Sequence, residues 1–114
     1  MSGGLLRPDR QALLELDELL HELEQLATAG GRARYDADAH YRWVIHRLWI
    51  AVGNEADAYA TAVGDRHAQP WYSLVLLRNR LAHVRLPDID EDEVWRMTTL
   101  RPGSLSKQVR GLLR

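Results

Sequence analysis

The sequence contains no cysteine among its 114 residues. That absence excludes a disulfide framework, thiolate metal sites and a cysteine nucleophile, and it fits a reducing compartment. Long apolar runs are also missing, because charged residues interrupt them every few positions, so we expect no membrane span. The opening stretch MSGGLLRPDR lacks the apolar core of a secretory signal. The expected location is therefore the cytoplasm.

Two common catalytic or phosphate-binding motifs are absent as well. The chain has neither a glycine-rich phosphate loop nor a Gly-x-Ser-x-Gly segment. The acidic run DIDEDE, residues 88–93, resembles a calcium loop only superficially, since Glu93 and Thr99 occupy the positions that need glycine and glutamate. Acidic residues stabilise the positive end of a helix, so this run predicts a helix N-terminus.

Histidine and aspartate do not form a recognisable metal site either. The segment DADAH, residues 36–40, lies where a helix should begin, which predicts capping rather than metal binding. His21 and His46 have no partner at metal-ligand spacing, and both are predicted to be surface or interface histidines. We therefore expect no metal and no cofactor.

Charge is distributed unevenly along the chain, although the net charge is only −1. Residues 1–57 carry 6 basic and 10 acidic side chains, and residues 58–114 carry 9 and 6. A polyanion such as RNA would be bound by the second half, if at all. The alternative is that both halves have ordinary solvated surfaces.

Helical periodicity dominates the sequence, and strand patterns are weak. The chain is long enough for one domain, which we place at residues 1–114. Short connections favour antiparallel neighbours, so the predicted fold is an all-α, up-and-down four-helix bundle with a short additional C-terminal helix. The predicted helices span approximately 8–28, 38–63 and 70–83, with a fourth starting at 88–90 and a last one at 104.

A glycine interrupts the middle of the second predicted helix, in the sequence Gly53-Asn54-Glu55. Glycine inside a helix costs about 1 kcal/mol relative to alanine, so it usually has a packing reason. We expect another helix to approach closely at Gly53. The alternative is that Asn54 or Glu55 faces a polar cleft.

The segment RNRLAH, residues 78–83, places several polar groups at the end of an apolar helix. Arg78 follows Leu74 by four residues and Trp71 by seven, so it points toward the apolar side. The planar guanidinium matches phosphate, and His83 titrates near neutral pH. An anion clamp and a proton-transfer group are what RNA cleavage needs, and the 2′-hydroxyl of RNA makes a metal unnecessary.

The spacing of Arg78 and His83 limits what one chain can do. Five residues on a continuous helix correspond to about 140° of rotation and about 7.5 Å of rise, so the two side chains diverge. A symmetric dimer would instead bring two copies of each into one cleft. The alternative is structural: Arg78 pairs with a core carboxylate such as Glu55, and His83 is favoured by the helix dipole.

Three segments resemble one protein family. PWYSLVLLRNRLAH followed by DIDEDEVW resembles the HEPN toxins of the HepT type, which are partners of minimal nucleotidyltransferase antitoxins. HRLWIAVGNEADAY is similar to the second helix of that family, with Asn54 inserted into its Gly-Glu-Ala signature. The resemblance extends over approximately residues 41–102.

The resemblance implies a HEPN-like bundle, a two-fold homodimer and metal-independent endoribonuclease activity as the toxin of a type II toxin–antitoxin module. By position, Arg78 and His83 are the catalytic pair, and Asn79, Arg80 and Arg85 are candidates for RNA or phosphate binding. Family members often carry tyrosine where this chain has Arg85, and that tyrosine is the target of nucleotide transfer by the antitoxin. Arg85 could bind the RNA backbone instead, or mark a branch without toxicity.

Two other functions remain open from the sequence. The chain could be a non-catalytic HEPN module that binds a nucleotide or a nucleotidyltransferase partner. It could also be a plain helical dimerisation domain, in which an internal carboxylate neutralises Arg78.

Overall fold

A computed structural model describes residues 7–114 and shows five α helices, with no strand in that range. The prediction of an all-α fold is confirmed. A single 3₁₀ turn, Leu86–Asp88, precedes the fourth helix. The helices are α1 (Pro8–Ala37), α2 (Ala39–Val63), α3 (Trp71–His83), α4 (Glu91–Leu100) and α5 (Pro102–Leu113).

The first three helices pack side by side in antiparallel order, and α4 and α5 lie against α1. Apolar residues spaced by three and four positions lie on one side of each helix, and that side faces this interior. Trp49 is fully buried at the centre. The other core residues with the lowest exposure include Leu16, Leu20, Leu23, Tyr35, Ile45, Val52, Leu74, Leu105 and Val109.

Helix α1 is longer than the sequence indicates. The sequence predicts an end near Thr28, because the pair Gly30-Gly31 follows and glycine favours helix termination, but helical backbone resumes after a kink and continues to Ala37. The kink lies at Gly31, whose φ of 75° and ψ of 175° are essentially restricted to glycine. The second part of α1 then brings Tyr35 into the core.

Asp38 and Asp90 cap helices α2 and α4 as the acidic segments predict. The Asp38 carboxylate accepts a hydrogen bond from the Tyr41 backbone N–H at 3.2 Å, and this bond lowers the pKa of Asp38. Asp90 accepts in the same way from the Glu93 backbone N–H at 3.1 Å. Helix α5 begins at Pro102, two residues before the predicted start.

A buried polar network joins three segments that are distant in sequence. The Tyr35 hydroxyl donates to Glu91 Oε1 at 2.5 Å, and His46 Nε2 lies 2.8 Å from the same oxygen. His46 is only 4% exposed, so the prediction of a surface or interface position is wrong. The phenol and carboxylate explain why an imidazole is tolerated there, because they satisfy its ring nitrogen.

Within residues 7–114, no helix combines the length and apolarity needed to cross a bilayer.

Candidate functional site

The candidate site is built around a close approach of α2 and α3 at Gly53. A Cβ atom placed on Gly53 would lie 2.3 Å from Arg78 Cβ and 2.8 Å from the Leu74 carbonyl oxygen. No side chain fits at such distances, so the predicted reason for the mid-helix glycine is confirmed. This contact holds the Cβ and Cγ atoms of Arg78 against the α2 backbone at Gly53.

Amide oxygens hold the guanidinium of Arg78. Nε and Nη2 donate to Asn79 Oδ1 at 3.1 and 2.9 Å, and Nη1 donates to Asn54 Oδ1 at 3.1 Å. Asn54 is thus an exposed residue of α2 whose side chain contacts α3, and the alternative of a polar cleft at Asn54 or Glu55 stays a prediction. Because a guanidinium has five N–H donors, two remain after these three bonds.

The positive charge of Arg78 is only weakly compensated. Among residues 7–114, the one carboxylate within salt-bridge distance of Arg78 is that of Asp57, whose Oδ2 lies 3.9 Å from Arg78 Nη1. The Asp57 side chain is 48% exposed, and solvent-exposed ion pairs of this kind contribute little. Arg78 is thus positioned by neutral groups and keeps a charge that a bound anion can use.

Glu55 is not the partner of Arg78. The structural alternative, in which Arg78 pairs with a core carboxylate, is therefore wrong in naming Glu55 as that carboxylate. Glu55 instead lines a surface hollow with Glu15 on the α1 side of α2. Partial burial there raises its pKa, and the neighbouring Glu15 carboxylate adds to the effect. The sequence alone did not identify Asp57 as a neighbour of Arg78. A signal was present, because Asp57 follows Gly53 by four residues and so lies on nearly the same face of α2.

The remaining candidate residues are more dispersed. His83 is the last residue of α3 and is exposed. Arg80 points toward α4, where Nη2 donates to Glu93 Oε1 at 2.5 Å, so it does not join the Arg78 cluster. Arg85 is exposed just before the 3₁₀ turn. Helix α3 is continuous through His83, so within one chain Arg78 and His83 diverge as the spacing predicts.

The cluster has the chemistry of an anion site. Within the described residues, no group of three or more histidine, aspartate or glutamate side chains is arranged to hold a metal ion. A half-buried guanidinium with free N–H groups, held by two asparagines, is suited to a phosphate oxygen.

Comparison with protein-family models, with curated proteins and with solved structures finds no match to this chain.

Proposed function

We propose that this protein is a metal-independent endoribonuclease of the HEPN type, acting as the toxin of a type II toxin–antitoxin module. Arg78 binds the scissile phosphate and His83 transfers protons, in a cleft between the subunits of a homodimer. The observation that carries the proposal is the neutral positioning of Arg78. An arginine with a purely structural role would be expected to have a close carboxylate partner, whereas the close partners of Arg78 are amides and the Asp57 carboxylate lies 3.9 Å away.

The reaction follows from these groups. A histidine acting as base removes the proton of the 2′-hydroxyl, whose oxygen attacks the adjacent phosphorus. The bond from phosphorus to the 5′-oxygen breaks, and an acid returns a proton to that oxygen. Arg78 stabilises the charge on the phosphorane oxygens. The products are a 2′,3′-cyclic phosphate and a 5′-hydroxyl.

The dimer supplies what one chain lacks. One His83 cannot be base and acid at the same moment, and it diverges from Arg78 on the same helix. Two copies in one cleft provide two histidines, so that one can act as the base and the other as the acid. The resemblance to HepT-type toxins supports this arrangement and the expectation of a four-helix, HEPN-like bundle.

A nucleotidyltransferase-type antitoxin is the partner that the resemblance supports. Arg85 occupies the position of the family's modified tyrosine, so control of this chain would not use modification there. Arg85 is exposed near the end of α3, where it can contact the RNA backbone.

A second candidate is a non-catalytic module that binds a nucleotide or the nucleotidyltransferase. One observation favours it: among the described residues, no side chain forms a hydrogen bond or salt bridge with His83. Catalytic histidines usually have a partner that fixes their tautomer. In this alternative, binding depends on Arg78 and Arg85 and survives the loss of His83.

Cleavage of an end-labelled RNA in the presence of EDTA tests the proposal. We expect the wild-type protein to generate cyclic-phosphate ends. His83→Ala should reduce the rate by about 10²–10⁴-fold and Arg78→Ala by about 10²–10³-fold. Arg96→Ala, which removes an exposed arginine of α4, is the matched control and should cleave normally.

Intact RNA after incubation with wild-type dimer would contradict the catalytic proposal. Retained binding of labelled RNA or nucleotide by His83→Ala, together with its loss in Arg78→Ala, would then support the non-catalytic module.

A further inference from the structure

One side of α2 carries a row of exposed and partly buried side chains that extends from Trp43 through the Arg78 cluster. The steps between its members alternate between four and three residues, which is the spacing of a helix–helix seam in coiled coils. Trp43, a large apolar side chain, is 48% exposed within this row. We call this row the α2 outer stripe; it consists of Trp43, Arg47, Ile50, Asn54, Asp57 and Thr61.

The stripe contains one cation and one anion, ten positions apart. Arg47 is exposed, and no carboxylate in residues 7–114 lies within salt-bridge distance of it. Asp57 has only the 3.9 Å approach to Arg78 Nη1. Each charge is therefore available to a partner, and the two are of opposite sign.

We propose that a second copy of this chain covers the α2 outer stripe with its own stripe in antiparallel orientation, so that Arg47 pairs with Asp57 of the partner subunit. The stripe positions form two sets, those followed by a step of four residues and those followed by a step of three. In an antiparallel pair of helices, positions of one set lie opposite positions of the other set. The same register sets Trp43 against Thr61 of the partner subunit and Ile50 against Asn54 of the partner subunit. A parallel pairing would oppose like charges, which is unfavourable.

This arrangement rests on the proposed function and specifies how its cleft is assembled. The two-fold axis that relates antiparallel α2 helices runs perpendicular to both, so the two α3 helices lie on the same side of the pair. Both copies of Arg78 then border one groove, with the α2 helices as its floor. Arg47 of the partner subunit competes with Arg78 for Asp57, which leaves Arg78 more available to phosphate.

Charge reversal gives a direct test by analytical ultracentrifugation. Arg47→Asp alone and Asp57→Arg alone each create two like-charged pairs per dimer, and we expect each to raise the dimer dissociation constant at least tenfold. An equimolar mixture of the two variants forms heterodimers in which both pairs are complementary. The mixture should therefore recover dimers, identified as heterodimers by native mass spectrometry. Arg96→Asp makes the same charge change off the stripe and should dimerise like the wild type.

Because the chain contains no cysteine, disulfide cross-linking of single-cysteine variants provides a second test. These substitutions remove a charge and do not reverse it. Under mild oxidation, a mixture of Arg47→Cys and Asp57→Cys proteins should form a disulfide-linked heterodimer. Neither variant alone, nor Asp57→Cys mixed with Arg96→Cys, should cross-link efficiently. Circular dichroism confirms that each variant is folded.

Single variants that dimerise normally, or a mixture that stays monomeric although its components are folded, would overturn the inference. Efficient self-cross-linking of Arg47→Cys would overturn the antiparallel register. RNA cleavage is a separate readout. A dimer of the expected register that leaves RNA intact contradicts the proposed function alone, and a cleaving wild type without charge rescue contradicts the interface alone.

Discussion

At the scale of single residues, the candidate site depends on the contact between Gly53 of α2 and Arg78 of α3. Periodicity places Arg78 on the apolar side of α3, and the helix-breaking tendency of glycine predicts a close contact at Gly53. Neither signal says that the two residues meet, since periodicity describes a face of a helix and not its neighbour. The choice of Asn54 and Asp57 over Glu55 as neighbours of Arg78 depends on the rotation of α2, which only the packed structure fixes.

The contact at Gly53 leads to a stability prediction. Gly53→Ala introduces a Cβ 2.8 Å from the Leu74 carbonyl oxygen, so α2 and α3 must separate. We expect the free energy of unfolding to fall by about 1–3 kcal/mol in urea titrations. Gly111→Ala is the matched control, because its added Cβ meets no atom within 4 Å in α5. A control that is unchanged or slightly stabilised is expected, and equal losses in both variants would refute a steric cause.

At the scale of helices, the five segments were predictable because their apolar spacing and capping residues agree. The clearest failure is the end of α1 at Gly30-Gly31. Local propensity favours termination there, but burial of Tyr35 stabilises a further stretch of helix beyond the kink. Such tertiary stabilisation has no signature in a window of local sequence.

The backbone conformation at the kink predicts that alanine substitutions at two glycines, Gly31 and Gly64, will lower the free energy of unfolding by different amounts. Gly31 has φ 75° and ψ 175°, whereas Gly64, which ends α2, has φ 79° and ψ 23°. A Cβ at either position meets no atom within 4 Å, so backbone strain alone should decide the outcome. Gly31→Ala should reduce the free energy of unfolding by about 1–3 kcal/mol, more than Gly64→Ala, whose left-handed conformation is more accessible to alanine. Thermal and urea unfolding measure both, and the reverse order would contradict this view of the kink.

At the scale of the whole molecule, the packing of α1 against α2 makes stability depend on pH. Partial burial raises the pKa of Glu55, so its ionisation opposes folding. This penalty is present above the raised pKa and disappears as the pH falls below the ordinary glutamate value of about 4.3. Glu55→Gln should therefore be more stable than the wild type at pH 7, with a difference that vanishes near pH 4.

Urea unfolding at a series of pH values measures that difference. Glu22→Gln, which changes an exposed carboxylate of α1, is the control and should lack the pH-dependent gain. A constant advantage of Glu55→Gln across the whole range would show that amide packing, and not titration, is responsible.

The network of Tyr35, His46 and Glu91 has a consequence for how the molecule opens. Its members come from the last turn of α1, the first third of α2 and the first turn of α4. Separating α4 from the rest would leave a buried imidazole and phenol without their carboxylate, so fraying of α4 alone is disfavoured. We therefore expect helix α4, although only ten residues long, to belong to the same cooperative unit as α1 and α2. The amide of the buried Val94, which donates to the Asp90 carbonyl, should then exchange with solvent mainly when that unit unfolds.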